Sequence, residues 1–252
     1  MGQVILVAGG TGFLGSAVVR RLESRGHKVV ISSRKQRSVP THADVIVNCA
    51  GIIREDRSTF EDVHVNLTKW LVGLGKKLKV RQFVQVSALG ADLAGTPYQR
   101  TKAVGEKIVR ESELPYVILR PSMIFGAGDK SINRFRAIAR TGFFPVLAQG
   151  TVQPVSVETV ADVIVAAVEK RIRNRTVEVG GPEVFTYAQL AQRIHPGVRT
   201  FWMPRCGTWL LTKLGVVFIS LPTADMVKMM RLRNETQDVV VQKLGVKNPR
   251  LV

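Results

Sequence analysis

The sequence predicts an α/β fold: a doubly wound parallel sheet lacking the usual third strand, with a small C-terminal lid. Three observations point there. Short apolar, β-rich runs alternate with amphipathic helical stretches through most of the 252 residues, as βαβ units require. A glycine-rich turn, Gly9-Gly10-Thr11-Gly12-Phe13-Leu14-Gly15, separates the first apolar run from the first helical one. Only nine residues lie between Arg34 and Asp44, too few for a helical crossover before its strand is counted.

The elements follow in order. Val4–Ala8 is the first strand, and an apolar-periodic helix after the glycine turn runs to about Arg25. Gly26 closes that helix, and His27–Ser33 supplies a second strand. Ala43–Cys49 is a buried strand. A long helix over Phe60–Leu78 carries Val63, Leu67, Trp70, Leu71 and Leu74 on one face, the 3.6-residue period of a helix against a core. Gln82–Ser87 is a strand, Tyr98–Ser112 a helix, and Tyr116–Arg120 a strand stopped by Pro121. Helices near Ser131–Arg140 and Val157–Lys170 and a strand at Thr176–Gly180 complete the alternation. Thr186 with Gln189 three residues on reads as a capping box. This organisation predicts a nucleotide-binding domain over residues 1–182, with 131–149 contributing to the lid, and a small C-terminal substrate or lid region over 183–252.

Hydrophobic content of 45% with 22% charged residues predicts a globular chain with a proper core. Thirty-seven Lys and Arg against nineteen Asp and Glu give a formal charge of +18, a field that attracts phosphate groups or anionic surfaces. Nucleic acid is an unlikely partner, since aromatic content is 6% and no nucleic-acid motif accompanies the charge. The apolar core Trp209–Leu221 is thirteen residues long and contains Lys213, short of the roughly twenty that span a bilayer. A core or lid helix is the first reading of it, and a membrane-surface helix the second. Met1-Gly2-Gln3 leads straight into the first strand without a secretory pattern, and Cys49 and Cys206 are the only cysteines. Both features point to a reducing, cytoplasmic setting, with the inner face of a membrane as a second location. No His and Cys spacing suits a metal. A protein complex, a membrane surface and an oligomer remain open as partnerships, and the small-molecule substrate is not legible.

Gly9, Gly12 and Gly15, between a strand and a helix, let a pyrophosphate approach the backbone around Thr11, Phe13 and Leu14 at a helix N-terminus, where the dipole favours anions. This predicts a dinucleotide site on a Rossmann-type sheet. An NAD site usually presents Asp or Glu at the end of the second strand. Here Ser33 is followed by Arg34, Lys35, Gln36 and Arg37, and a guanidinium there suits a 2′-phosphate. The expected cofactor is NADP(H) in preference to NAD(H); the plain alternative is a solvated basic turn.

The runs GGTGFLG, NCAG (Asn48–Gly51), VNL around Asn66, VSA around Ser87, YQRTK (Tyr98–Lys102), RPSMIFGAGD (Arg120–Asp129) and PVSVETVADVI (Pro154–Ile164) together resemble the short-chain dehydrogenase/reductase superfamily, in its extended and atypical branches. YQRTKAVGEKIVRES followed by RPSMIFGAGDKSINRF is similar to the NAD(P)-binding accessory subunit of respiratory complex I and its prokaryotic relatives. The resemblance implies that Tyr98 is the general acid/base, that Lys102 binds the nicotinamide ribose and lowers the tyrosine pKa, that Ser87 hydrogen-bonds the reacting oxygen, and that Asn66 holds a relay water. It also implies cofactor contacts at Cys49, Ala50, Gly51, Pro121 and Ile124.

The chemistry is coherent. A free phenol titrates near 10 and is a poor base at neutral pH unless positive charge stabilises its anion, and Lys102 stands one helical turn from Tyr98. Two departures qualify the resemblance. Only ten residues separate Ser87 from Tyr98, a short loop for a nucleotide-sugar substrate, and the region of the third strand is missing together with its adenine-contacting acid. The expectation is an NADP(H)-dependent oxidoreductase acting on a carbonyl or hydroxyl group, with Phe143, Phe144, Trp202 and Trp209 as pocket walls. A cofactor-binding structural or sensing subunit docked on a membrane or respiratory complex is the alternative, and a nucleotide-sugar epimerase or dehydratase a weaker one. Cys49 reads as a small buried residue, His64 as packed or hydrogen-bonded, and Glu106 with Lys107 as a solvated helix face.

Overall fold

The computed structural model describes residues 2–33, 38–203, 223–238, 240–249 and 251. It divides into two compact units: residues 1–121, 157–179 and 237–248 form the first, and 122–156, 180–236 and 249–252 the second.

The first unit is built on a six-stranded parallel sheet: β1 (Val4–Ala8), β2 (Lys28–Ser32), β3 (Val45–Asn48), β4 (Gln82–Val86), β5 (Tyr116–Pro121) and β6 (Arg175–Val179), in the order β6-β5-β4-β3-β1-β2. Register is simple: Leu6 lies between Val30 and Ile46, and Val47 beside Val84. Helices α1 (Phe13–Ser24) and α4 (Val157–Glu169) pack together on one face, where Arg21 reaches Asp162 at 3.0 Å. Helices α2 (Leu67–Leu78) and α3 (Pro97–Arg110) pack together on the other. Ile5, Leu6, Ile46, Phe83 and Ile118 are fully buried between the layers, which explains why these strands read as continuous apolar runs.

β2 is the edge, paired to β1, and among the described residues no strand or helix intervenes along the chain between β2 and β3. The short connection is secured by Asp44, whose carboxylate accepts from Val4 N–H at 2.8 Å and from Arg81 at 2.7 Å. The shortened sheet expected from the nine-residue interval is therefore present. The helix expected over Phe60–Leu78 opens differently: Glu61–Asn66 is a π-helical turn, and regular α-helix starts at Leu67.

In the second unit, strands Phe143–Val146 and Arg199–Trp202 pair in parallel, and helices Ser131–Ala139 and Tyr187–Ile194 pack together. Thr186 caps the second of these helices, with Gln189 completing the box. The division departs from the expected boundaries in three places, the smallest being residues 180–182, which fall in the second unit. All of 122–156 belongs to the second unit, because Met123 and Phe125 pack against Ile132, Val152 and Tyr187. Residues 237–248 return to the first unit: Asp238 accepts from Glu178 N–H at 3.2 Å and Thr159 donates to Lys247 O at 2.9 Å. The Trp209–Leu221 helix expectation and Cys206 lie outside the described residues. Among those described, no helix is long and apolar enough to cross a membrane.

Candidate active site

The glycine loop connects β1 to α1. Gly9 has φ +75, and a Cβ on Gly15 would stand 2.1 Å from Gly9 O. Gly12 N–H donates to Gly9 O at 2.9 Å, and Gly9 N–H to Ser32 O at 2.9 Å, tying the loop to the end of β2. Gly12 is the N-cap of α1 and brings no side chain to its first amides, and no acid occupies the first turn. Those unspent amides and the positive end of the dipole fit a pyrophosphate. Thr11 is exposed, Phe13 half-buried and Leu14 buried in the core. Ser33 is half-buried just past β2, and Arg34 and Arg37 lie outside the described residues.

Beside this loop, β3 ends in Asn48, whose buried amide donates to Gln85 Oε1 at 3.0 Å and whose oxygen accepts from Ala50 N–H at 3.2 Å. That fixes the turn Cys49-Ala50-Gly51. Burial pushes the Cys49 thiol up to about 12 against the pull of Lys102, so it is an inert small residue.

Helix α3 starts cleanly: Thr96 accepts from Gln99 N–H at 3.3 Å and Pro97 takes the first position. Tyr98, Lys102 and Glu106 recur at four-residue intervals and so share one face. Lys102, 6% exposed, donates from Nζ to Val86 O at 3.2 Å. Its Nζ lies 3.2 Å from where a Cβ on Gly51 would be, placing the ammonium against the turn after β3. Burial pushes Lys102 down to about 8, partly countered by Glu106 and Cys49. Tyr98 is half-buried, and burial pushes its phenol up to about 12. In the protein alone, desolvation of the phenolate is the cause of that shift, and the lowering expected from Lys102 does not accompany it.

The other two expected catalytic residues are Ser87 and Asn66. Ser87 is buried; its hydroxyl makes no well-formed hydrogen bond and leans on Glu106, which it helps to keep ionised. Asn66 is exposed at the end of the π turn, with its amide donating to Asp62 at 3.4 Å. Pro121 is buried at the end of β5, while Ile124 belongs to the second unit, where it pairs with Val155.

The solvated face expected for Glu106 and Lys107 holds for Lys107 alone. Glu106 is 1% exposed and takes both arms of Arg120, at 2.8 Å each, and Arg110 at 2.6 Å. Burial pushes its carboxyl up, but the hydrogen bonds of Arg120, Ser87 and Arg110 and the Arg120 charge more than offset that and hold it below the usual range. The neglected signal was a lone arginine inside the apolar strand Tyr116–Pro121, which demands a buried counter-ion. His64 is packed and hydrogen-bonded as expected.

In the second unit, Phe144 is not a pocket wall but part of the core, edge-on to Phe135 at 5.5 Å. Phe143 and Trp202 are 55% and 54% exposed, and Trp209 lies outside the described residues. Among the described residues no group of three or more His, Cys, Asp or Glu side chains is placed to hold a metal.

Comparison with known proteins accords with this arrangement. Residues 5–180 match the NAD dependent epimerase/dehydratase family. The chain is 30% identical over 235 residues to NADH dehydrogenase [ubiquinone] 1 alpha subcomplex subunit 9, mitochondrial, of Arabidopsis thaliana, covering 79% of this chain but only 58% of that protein. It is 27% identical over 194 residues to the ceramide reductase of Caulobacter vibrioides, covering 65% of this chain and 60% of the reductase. In fold it is similar to the Thermus thermophilus UDP-glucose 4-epimerase solved with NAD, with a TM-score of 0.66 at 17% identity over 90% of this chain and 97% of that one. A glycine cradle at the first βα turn, a lysine one turn after a tyrosine, and a sequence match over most of the chain agree: this protein belongs to the NAD dependent epimerase/dehydratase family, in the extended branch of the short-chain dehydrogenases/reductases.

Proposed function

We propose that the protein is an NADP(H)-dependent oxidoreductase acting on a carbonyl or hydroxyl group. The observation that carries this reading is Tyr98 and Lys102 on one face of α3, with the Lys102 ammonium against the Gly51 turn. Gly9, Gly12 and Gly15 would receive the pyrophosphate, and Lys102 the nicotinamide ribose. The dinucleotide, when bound, supplies or accepts the hydride. In the reducing direction Tyr98 Oη gives its proton to the carbonyl oxygen as the carbon becomes a carbinol, and the Lys102 charge would bring the phenol closer to working pH, as acid catalysis requires. The names of its relatives support an apolar substrate, the similar Caulobacter protein being a ceramide reductase.

The 2′-phosphate preference is carried by Arg34 and Arg37 and by the lack of a carboxylate after Ser33. Arg34→Ala is expected to cost NADPH affinity about tenfold more than NADH affinity; equal losses would remove the preference. Tyr98→Phe is expected to lower NADPH-linked reduction of apolar ketones by about a hundredfold or more while leaving cofactor affinity nearly intact. Unchanged turnover in that variant would take Tyr98 out of the mechanism.

A second reading is favoured by the burial that pushes the Tyr98 phenol up to about 12, away from working pH. In it the chain binds NADP(H) as a structural or sensing subunit, docked on a membrane face or a respiratory complex. The similarity to a complex I subunit and the +18 charge support it. Gentle fractionation of native extracts separates the two: a free enzyme runs at one to four chain masses, a docked subunit in a large membrane-associated assembly.

A further inference from the structure

His64 takes no part in the chemistry proposed above, yet it is held from three sides beside Tyr98. It sits on the π-helical turn and is 2% exposed. Its Nδ1 lies 2.9 Å from Thr101 Oγ1. The Thr101 hydroxyl has one proton, committed to the carbonyls of Pro97 and Tyr98 at 3.0 Å each, so its oxygen accepts and His64 Nδ1 carries the hydrogen. At the other end of the ring, Nε2 accepts from Ile52 N–H at 3.3 Å. The imidazole thus links the turn after β3 to the first turn of α3, and only a ring with a donor and an acceptor on separate nitrogens can do so.

The ring also meets the tyrosine directly. His64 lies edge-on to Tyr98, with centroids 5.5 Å apart and planes at 83°. Phe60 stacks on His64 at 5.5 Å and meets Tyr98 edge-on at 5.8 Å. Such edge-to-face contacts restrict ring orientation beyond what area burial does. π-helical turns concentrate at functional sites, and this one is pressed close to α3: a Cβ on Gly105 would stand 2.7 Å from His64 O. Thr68 Oγ1 donates to the same carbonyl at 2.8 Å.

We propose that His64 is a positioning residue for Tyr98, clamping its ring and holding the Cys49–Ile52 turn in register with α3; its catalytic purpose rests on the reading of Tyr98 as the acid. Burial and then the Lys102 charge push its pKa down to about 3, so the clamp keeps one protonation state through the working range. Phe would fill the volume but leave Ile52 N–H without an acceptor and His64's link to Thr101 broken. Thr101→Val removes the same link from the half-buried helix side without touching the core.

The test labels the tyrosine rings with 13C. The chain has three tyrosines, and Tyr98→Phe assigns the relevant signal. In both His64→Phe and Thr101→Val, the Tyr98 ring resonance is expected to move while those of Tyr116 and Tyr187 stay. NADPH-linked ketone turnover should fall about ten- to a hundredfold, the scale of a misplaced reacting group, with KM changed less than about twofold. A Tyr98 signal unmoved in either folded variant would overturn the proposal; should His64→Phe fail to fold, Thr101→Val decides. A moved signal in a protein that shows no turnover would uphold the clamp and remove the hydride reading instead.

Discussion

Replacing Glu106 with Gln tests the buried ion pair beneath the site. The carboxylate is 1% exposed and receives Arg120 Nε and Nη2 at 2.8 Å each. Removing one partner of such a pair costs about 3–5 kcal/mol, because the other charge is left buried and uncompensated. Arg120 would keep Asp92 at 3.1 Å and Glu178 at 3.9 Å, which places the loss near the lower end, about 3 kcal/mol. For a chain of this size that is a Tm decrease of about 6–12 °C, read by circular dichroism at pH 7. The pH dependence has a definite sign. Glu106 is held below its ordinary 4.5, so its contribution is fully present above about pH 4.5 and fades as pH falls through the folded value. The gap between wild type and Glu106→Gln should therefore narrow in acid. Lys107→Gln is the control, since Lys107 and its partner Glu111 are both exposed, 3.7 Å apart, and such a pair contributes about 0–1 kcal/mol. A Glu106→Gln protein melting within about 2 °C of wild type at pH 7 would refute the reasoning.

Other consequences follow from the same geometry. Gly15→Ala would drive a Cβ against Gly9 O, 2.1 Å away, and should abolish measurable dinucleotide binding. Lys102→Met should raise Tm below pH 8 while weakening NADPH binding tenfold or more, about 1.4 kcal/mol. The sign is fixed because burial lowers Lys102 from 10.5 to about 8: the unfolded chain holds the proton more readily, so the native lysine is a stability cost that lessens only as pH rises from 8 towards 10.5.

Much of the fold was legible because the signals were local. The glycine triplet needed no tertiary knowledge, since a turn that closes on Gly9 O excludes any side chain at Gly15. The missing strand was a matter of chain length: residues 35–43 are too few to cross and return. The π turn was not legible, because Val63, Leu67, Trp70, Leu71 and Leu74 fit a 3.6-residue period that one wider turn scarcely disturbs. Glu106 escaped because its partner lies fourteen residues away on a strand, and helical spacing says nothing of what comes to meet a helix face. Ser87 and Asn66 stand in the expected succession of residue types, while packing fixes the setting of each: Ser87 is buried against Glu106, and Asn66 is exposed beside Asp62.

The central claim is that Gly9–Gly15 and Lys102 hold a reduced dinucleotide. It is tested most directly by titrating NADPH into the wild-type protein and into Lys102→Met, following nicotinamide fluorescence. The account predicts saturable one-to-one binding by the wild type and at least tenfold weaker binding by the variant. No saturable signal from the wild type, or equal affinity in the two proteins, would contradict it.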